Sequence, residues 1–219
     1  MTAILRLTDV SKGFLAATGS VPVLQDVTFA IAAGQKISLM GKSGSGKSTI
    51  LALIAGLLRP DSGRIDLDGV SLATLGDAAM ARLRSQRIGI ALQSENLIPF
   101  LTAQENVELA QGFGNRKRSA GRARDMLDRM GVSHRAGHLP RQMSGGEAQR
   151  VSLAVALANE PGLLLADEMV SQLDTETAAS VVADVFDSDM AVLFVTHDPA
   201  LATRADLQLT LENRTVVAP

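Results

Sequence analysis

Short apolar runs bounded by polar residues alternate along this chain with longer stretches whose apolar positions recur every three or four residues. That alternation predicts an α/β domain with a largely parallel sheet. KISLM at 36–40, GLLLAD at 162–167 and AVLFVT at 191–196 read as strands buried on both faces, and the last two end on polar residues. KISLM runs into a glycine-rich turn and then into KSTILALIAGLL, which predicts a helix over 47–58. Ahead of them, ILRLTDVSKGF and VLQDVTFAI alternate as half-exposed antiparallel strands do, predicting a small β layer before the main sheet. Between about 94 and 158 the pattern turns helical and more charged, a helical insertion within one domain spanning 1–219. RPDSG at 59–63 is the strongest local turn signal.

Composition narrows the function classes. The 219 residues are 46% hydrophobic, enough for a substantial core. A net charge of −2 gives no general attraction to nucleic acid or anionic membrane. With no cysteine, disulfides, thiolate catalysis and cysteine metal sites are excluded. Arg6, Asp9 and Lys12 interrupt the N-terminus where a secretory signal needs an apolar stretch, so it reads as mature protein. The longest apolar runs, such as ILALIAGLL at 50–58, reach roughly half of the ~20 residues that span a bilayer.

The most specific chemical signal is GKSGSGKS at 41–48, a G-x-x-x-x-G-K-[ST] pattern between an expected strand and an expected helix. Gly41, Gly44 and Gly46 let the backbone turn tightly and aim N–H groups at phosphate oxygens, and the helix N-terminus adds partial positive charge. Lys47 then reaches the β and γ phosphates, and the Ser48 hydroxyl ligates Mg²⁺.

LLLADEMVSQLD at 163–174 ends an apolar run on two adjacent carboxylates. Beside a phosphate site, Asp167 can hold the magnesium shell, whose charge offsets the repulsion between the acids. Glu168 can act on an attacking water as general base or by orienting it. In MSGGEAQRVSLAVALAN at 143–159, Ser144 and Glu147 fit a helix capping box before an apolar face of Val151, Ala154, Val155 and Ala158. A capped core helix accounts for the stretch completely. The alternative is that Ser144, Gly145 and Gly146 present donors to a phosphate.

GKSGSGKST, Gln93, SGGEAQR, LLLADE and His197 after a strand occur in the order and approximate spacing of the nucleotide-binding subunits of ABC transporters, which the chain resembles over essentially its whole length. LRSQRIGIALQSENLIPFLTAQENV at 83–107 is most similar to the lipoprotein-release, macrolide-export and cell-division ABC ATPases. The resemblance implies a P-loop NTPase core with a mostly parallel sheet, an N-terminal antiparallel β subdomain and an inserted helical subdomain. It implies ATP and Mg²⁺, with ATP hydrolysed between two subunits that form a homodimer and work on integral membrane permease subunits from the cytoplasmic side.

By the same resemblance, Ser43, Ser45 and Thr49 join the phosphate-loop residues on the nucleotide, while Ser144, Gly145, Gly146 and Glu147 face the γ-phosphate held by the second chain. Gln93 touches Mg²⁺ and the water, His197 contacts the γ-phosphate, and Asp174 links the two active sites. Phe14 stands where the family has an aromatic stacked on adenine, though a core phenylalanine fits as well. Met169 and Val170 replace the family's usual proline and threonine; harmless drift accounts for the change, and the alternative is a less rigid loop with slower or differently coupled hydrolysis.

The rival reading is a soluble ABC ATPase acting on DNA or ribosomes, or a low-turnover ATP-binding regulatory module. Such relatives carry paired domains or long coiled-coil insertions, and neither shows in this sequence. His134 and His138 could share a helix face as metal ligands, but no acid or cysteine in the sequence supports them. The basic cluster Arg116, Lys117, Arg118, Arg122 and Arg124 lacks stacking aromatics and reads as a solvated helical face, so no direct nucleic-acid contact is expected.

Overall fold

The computed structural model describes residues 3–16, 19–91, 97–114 and 117–218; Gln93 and Arg116 lie outside the described residues. In chain order the elements are β1 (Ala3–Ala16), β2 (Gly19–Ala32), β3 (Lys36–Met40), α1 (Lys47–Ile54), β4 (Ser62–Leu67), β5 (Val70–Ser71), α2 (Asp77–Arg87) and β6 (Ile88–Ala91). They continue with α3 (Ala103–Phe113), α4 (Ala120–Arg129), α5 (Gly145–Leu157), β7 (Leu163–Asp167), α6 (Thr175–Phe186), β8 (Ala191–Val195), α7 (Pro199–Ala202), β9 (Leu207–Glu212) and β10 (Thr215–Val217). The chain forms two compact units, Met1–Met80 with Ala191–Pro219, and Ala81–Met190.

In the first unit, β1 pairs antiparallel with β2 and β4, giving a sheet in the order β2-β1-β4-β5. The expected alternation is present, but it slips phase: Leu5 and Leu7 are buried, then Val10; Leu24 is buried, then Val27, Phe29 and Ile31. Two left-handed residues absorb the slips, Asp9 at φ 49° and Asp26 at φ 51°, where the β1–β2 register shifts. Such bulges re-aim the side chains beyond them. Cross-strand hydroxyls satisfy the displaced amides: Asp9 N–H donates to Thr28 Oγ1 at 2.8 Å and Asp26 N–H to Ser11 Oγ at 3.0 Å.

The same unit holds β3 between β8 and β9, parallel to both, with β10 antiparallel to β9. β3 and β8 contribute the fully buried Ile37, Leu39, Val192, Leu193 and Phe194. The helix expected over 47–58 ends sooner, at Ile54. Gly56 adopts φ 64°, donating its N–H to Leu53 O while Leu57 N–H donates to Ala52 O. That pair is a Schellman cap, and it turns Leu57 outward to 55% exposure despite the apolar pattern.

In the second unit, β6 and β7 run parallel. Leu163, Leu164, Leu165 and Ala166 are buried in β7, as are Val107 of α3, Leu127 of α4 and Val151, Leu153 and Ala154 of α5. The helical pattern expected between 94 and 158 appears as α3, α4 and α5 with short 3-10 turns.

Candidate functional site

In the first unit, β3 delivers the chain at Met40 into the loop 41–46, and α1 begins at Lys47. The helix N-cap is Gly46 at φ 111°, with no side-chain cap and no acid in the first turn. By contrast, α3, α5 and α6 are each capped by their own side chains, Thr102, Ser144 and Asp174. No side chain caps the start of α1, and the positive end of its dipole suits an external anion. Gly46 also has no room for a side chain, because a Cβ would sit 2.9 Å from Val23 Cγ1.

Lys47 is only 7% exposed, and its ammonium donates to Gly41 O at 2.8 Å and Lys42 O at 2.9 Å. Ser43, Gly44 and Ser48 are exposed, Thr49 is half-buried, and the Ser45 hydroxyl is buried with no partner in the protein. An orphan hydroxyl inside a glycine-rich turn at a bare helix start fits a bound phosphate. The Ser48 hydroxyl is a hard oxygen donor of the kind Mg²⁺ takes. An ion that keeps several waters and binds phosphate oxygens needs only one or two such protein ligands.

Phe14 is not a core side chain: it is 41% exposed and lies opposite Val21 in the β1–β2 hairpin. Two residues further along β2, Val23 borders Gly46, so the hairpin that carries Phe14 flanks the phosphate loop. Lys12 Nζ lies 5.7 Å from the Phe14 ring centroid and is tied to Asp61 at 2.6 Å, while Gly13 N–H donates to Asp61 Oδ2 at 2.7 Å. These bonds, the Lys12 one foremost, lower the Asp61 pKa. His197 is exposed just beyond β8, directly before Asp198, which caps α7.

In the second unit, Asp167 is the last residue of β7 and Glu168 follows it at φ 55°. Both are half-buried, whereas Met169 is 2% exposed. The Glu168 carbonyl accepts Gln149 Nε2 at 2.6 Å, Ser171 N–H at 3.2 Å and Ser171 Oγ at 3.1 Å. The loop is thus hydrogen-bonded without the family's proline and threonine. Asp174 accepts the Thr177 N–H at 3.0 Å as the N-cap of α6, and that bond lowers its pKa.

The capping box at the start of α5 is present. Glu147 Oε2 accepts Ser144 N–H at 2.8 Å, and Oε1 accepts Arg135 Nε at 2.8 Å and lies 3.3 Å from His134 Nε2. The Ser144 amide first, then Arg135, hold the Glu147 carboxyl down to about 2. His134 therefore does meet an acid, but the two histidines do not share a helix face, since the 3-10 turn there covers only Ser133–Arg135. Among the described residues no group of three His, Cys, Asp or Glu side chains could hold a metal ion.

The family model described as ABC transporter matches residues 24–171. The chain belongs to the ABC transporter family. Over 99% of its length this ABC protein is 37% identical to the lipoprotein-releasing system ATP-binding protein LolD of Shewanella oneidensis, covering 96% of that protein. It is equally identical, over the same share of its own length, to the macrolide export ATP-binding/permease protein MacB of Salmonella typhimurium, of which it spans 34%. The ATP-binding cassette MJ0796, solved as a dimer in a post-hydrolysis state with ADP and Pi, superposes with a TM-score of 0.92 at 34% identity, covering 97% of this chain and 96% of that one. The fold class and the ABC ATPase assignment expected from the motifs are thus met.

Two contributors were missed in the sequence. Gln149 lies inside SGGEAQR, where it reads as an unremarkable helix residue. Asp61 lies inside RPDSG, where the turn signal hides its side chain. Neither had a local signal, because each partner is distant in sequence.

Proposed function

We propose that the chain is the ATPase subunit of a transport complex, closing as a dimer around two ATP and driving a separate integral membrane permease from the cytoplasmic face. The observation that carries this reading is the helix α1 that starts without a side-chain cap on Gly46, with Lys47 folded onto its own loop. ATP would lie with its phosphates on the amides of 41–49, and Phe14 would offer its exposed face to adenine. Asp167 and Ser48, with Gln93, would hold Mg²⁺, which supplies charge neutralisation of the phosphates when bound. Glu168 would accept a proton from the attacking water or orient that water, with His197 at the γ-phosphate. Ser144, Gly145 and Gly146 would serve the ATP of the second subunit, and Asp174 would link the two sites.

Support comes from relatives that are transporter ATP-binding proteins and from the dimeric cassette structures. Among the described residues no helix is long and apolar enough to cross a membrane. The rival roles on DNA or ribosomes are not favoured by these relatives. Glu168→Gln tests the reading: it should abolish steady-state ATP hydrolysis and trap an ATP-bound dimer on size-exclusion chromatography. Unchanged hydrolysis with no trapped dimer would overturn it.

A further inference from the structure

The strained backbone at Glu168 has a specific support. A non-glycine residue in the left-handed region is strained and persists only where its surroundings over-determine it. Here the support comes from α5. Gln149 Nε2 donates to the Glu168 carbonyl at 2.6 Å, and Gln149 Oε1 accepts the Gln172 N–H at 3.1 Å. Both ends of one side-chain amide are thus used by one loop. The bonds also settle the orientation of the amide, because a carbonyl needs a donor and an N–H needs an acceptor.

The same loop lies against the first turn of α5. A Cβ on Gly146 would meet Gln172 O at 2.9 Å and Leu173 Cδ2 at 3.3 Å, and one on Gly145 would meet Gln172 Oε1 at 2.3 Å. The two glycines at the helix start are therefore also the floor on which residues 172–173 rest. Asparagine at 149 would be one methylene short, and glutamate would lose the donor toward Glu168.

We infer that Gln149 is a positioning residue for ATP hydrolysis, its amide fixing the Glu168 backbone to the helix that begins at Ser144. This rests on the reading above, in which Glu168 acts on the water of the subunit's own ATP and Ser144 faces the ATP of the second subunit. One rigid connection then carries both half-sites of a subunit, so a shift of α5 on dimer closure re-aims the Glu168 carboxylate. Misplacing a reacting group by about 1 Å is enough to cost on the order of a hundredfold in rate.

The test is Gln149→Met, which conserves length and most of the volume but makes neither bond. Steady-state kcat should fall by at least about tenfold, with KM for ATP within about twofold of the parent. Combined with Glu168→Gln, it should still form the ATP-driven dimer on size-exclusion chromatography. Gln149→Glu keeps an acceptor for the Gln172 N–H but sets a carboxylate against the Glu168 carbonyl, and it should lose at least as much kcat. A kcat within about twofold of the parent, or a kcat loss accompanied by an equal loss of ATP binding and of the dimer, overturns the positioning role. The unmodified protein separates the two readings: if it hydrolyses ATP and Gln149→Met does too, only the positioning role fails. If the unmodified protein does not hydrolyse ATP, both fail.

Discussion

Lys47 Nζ donates to the carbonyl oxygen of Gly41 at 2.8 Å, folding the ammonium back across the loop that α1 springs from. With its second bond to Lys42 O, the lysine braces the loop, and in the proposed reading it would exchange these carbonyl acceptors for charged phosphate oxygens. Lys47→Met should weaken ATP binding by roughly 10–100-fold, the worth of one hydrogen bond between charged groups. Titration calorimetry checks this against the thermal midpoint. The midpoint should move little, because removing a buried charge offsets the lost bonds. A collapse of stability with unchanged affinity per folded molecule would assign Lys47 to the fold alone.

Glu147 makes stability depend on pH in a defined direction. Its folded pKa, about 2, lies below the ordinary value of 4.5, because the Ser144 amide and Arg135 stabilise the charged form. The contribution is fully present above the unfolded value and is lost as pH falls from about 4.5 toward about 2. Glu147→Gln should therefore melt lower than the parent at pH 7, and the gap should close on acidification through that window. A gap of constant size between pH 6 and pH 3 would show that the ionised carboxylate is not the source.

Met169 is 2% exposed at the turn out of β7. Met169→Ala should lower the unfolding free energy by about 2–5 kcal/mol, read from denaturant titration. A loss below about 1 kcal/mol would mean the site collapses around the gap. Met169→Pro with Val170→Thr should also lower stability, so any rise in permease-stimulated ATPase rate of that variant would report the chemistry rather than a firmer fold.

Much of this was legible in the residues because the relevant interactions are local. The phosphate loop is one contiguous segment whose glycines, lysine and following apolar helix declare a strand, a turn and a bare helix start together. The capping box from Ser144 to Glu147 spans a single turn and was readable for the same reason. Apolar periodicity continues through Leu57 and Leu58 and so predicts a longer α1, whereas the left-handed Gly56 ends the hydrogen-bond ladder before them. Alternation in β1 and β2 gave the strands but not the bulges at Asp9 and Asp26, whose compensating hydroxyls lie across the hairpin.

The sequence by itself determined the family, the α/β class, the phosphate loop and the adjacent acids, since each is carried by neighbouring residues whose spacing limits the backbone to few arrangements. Tertiary structure decided what those residues lean on. Phe14 is exposed with Asp61 bracing the strand β1 beside it, Glu147 is held by Arg135 from another turn, and the Glu168 backbone is pinned by Gln149 from helix α5. These are contacts between residues distant along the chain, and no periodicity encodes them, because each forms only when the chain has folded and brought a donor to an acceptor.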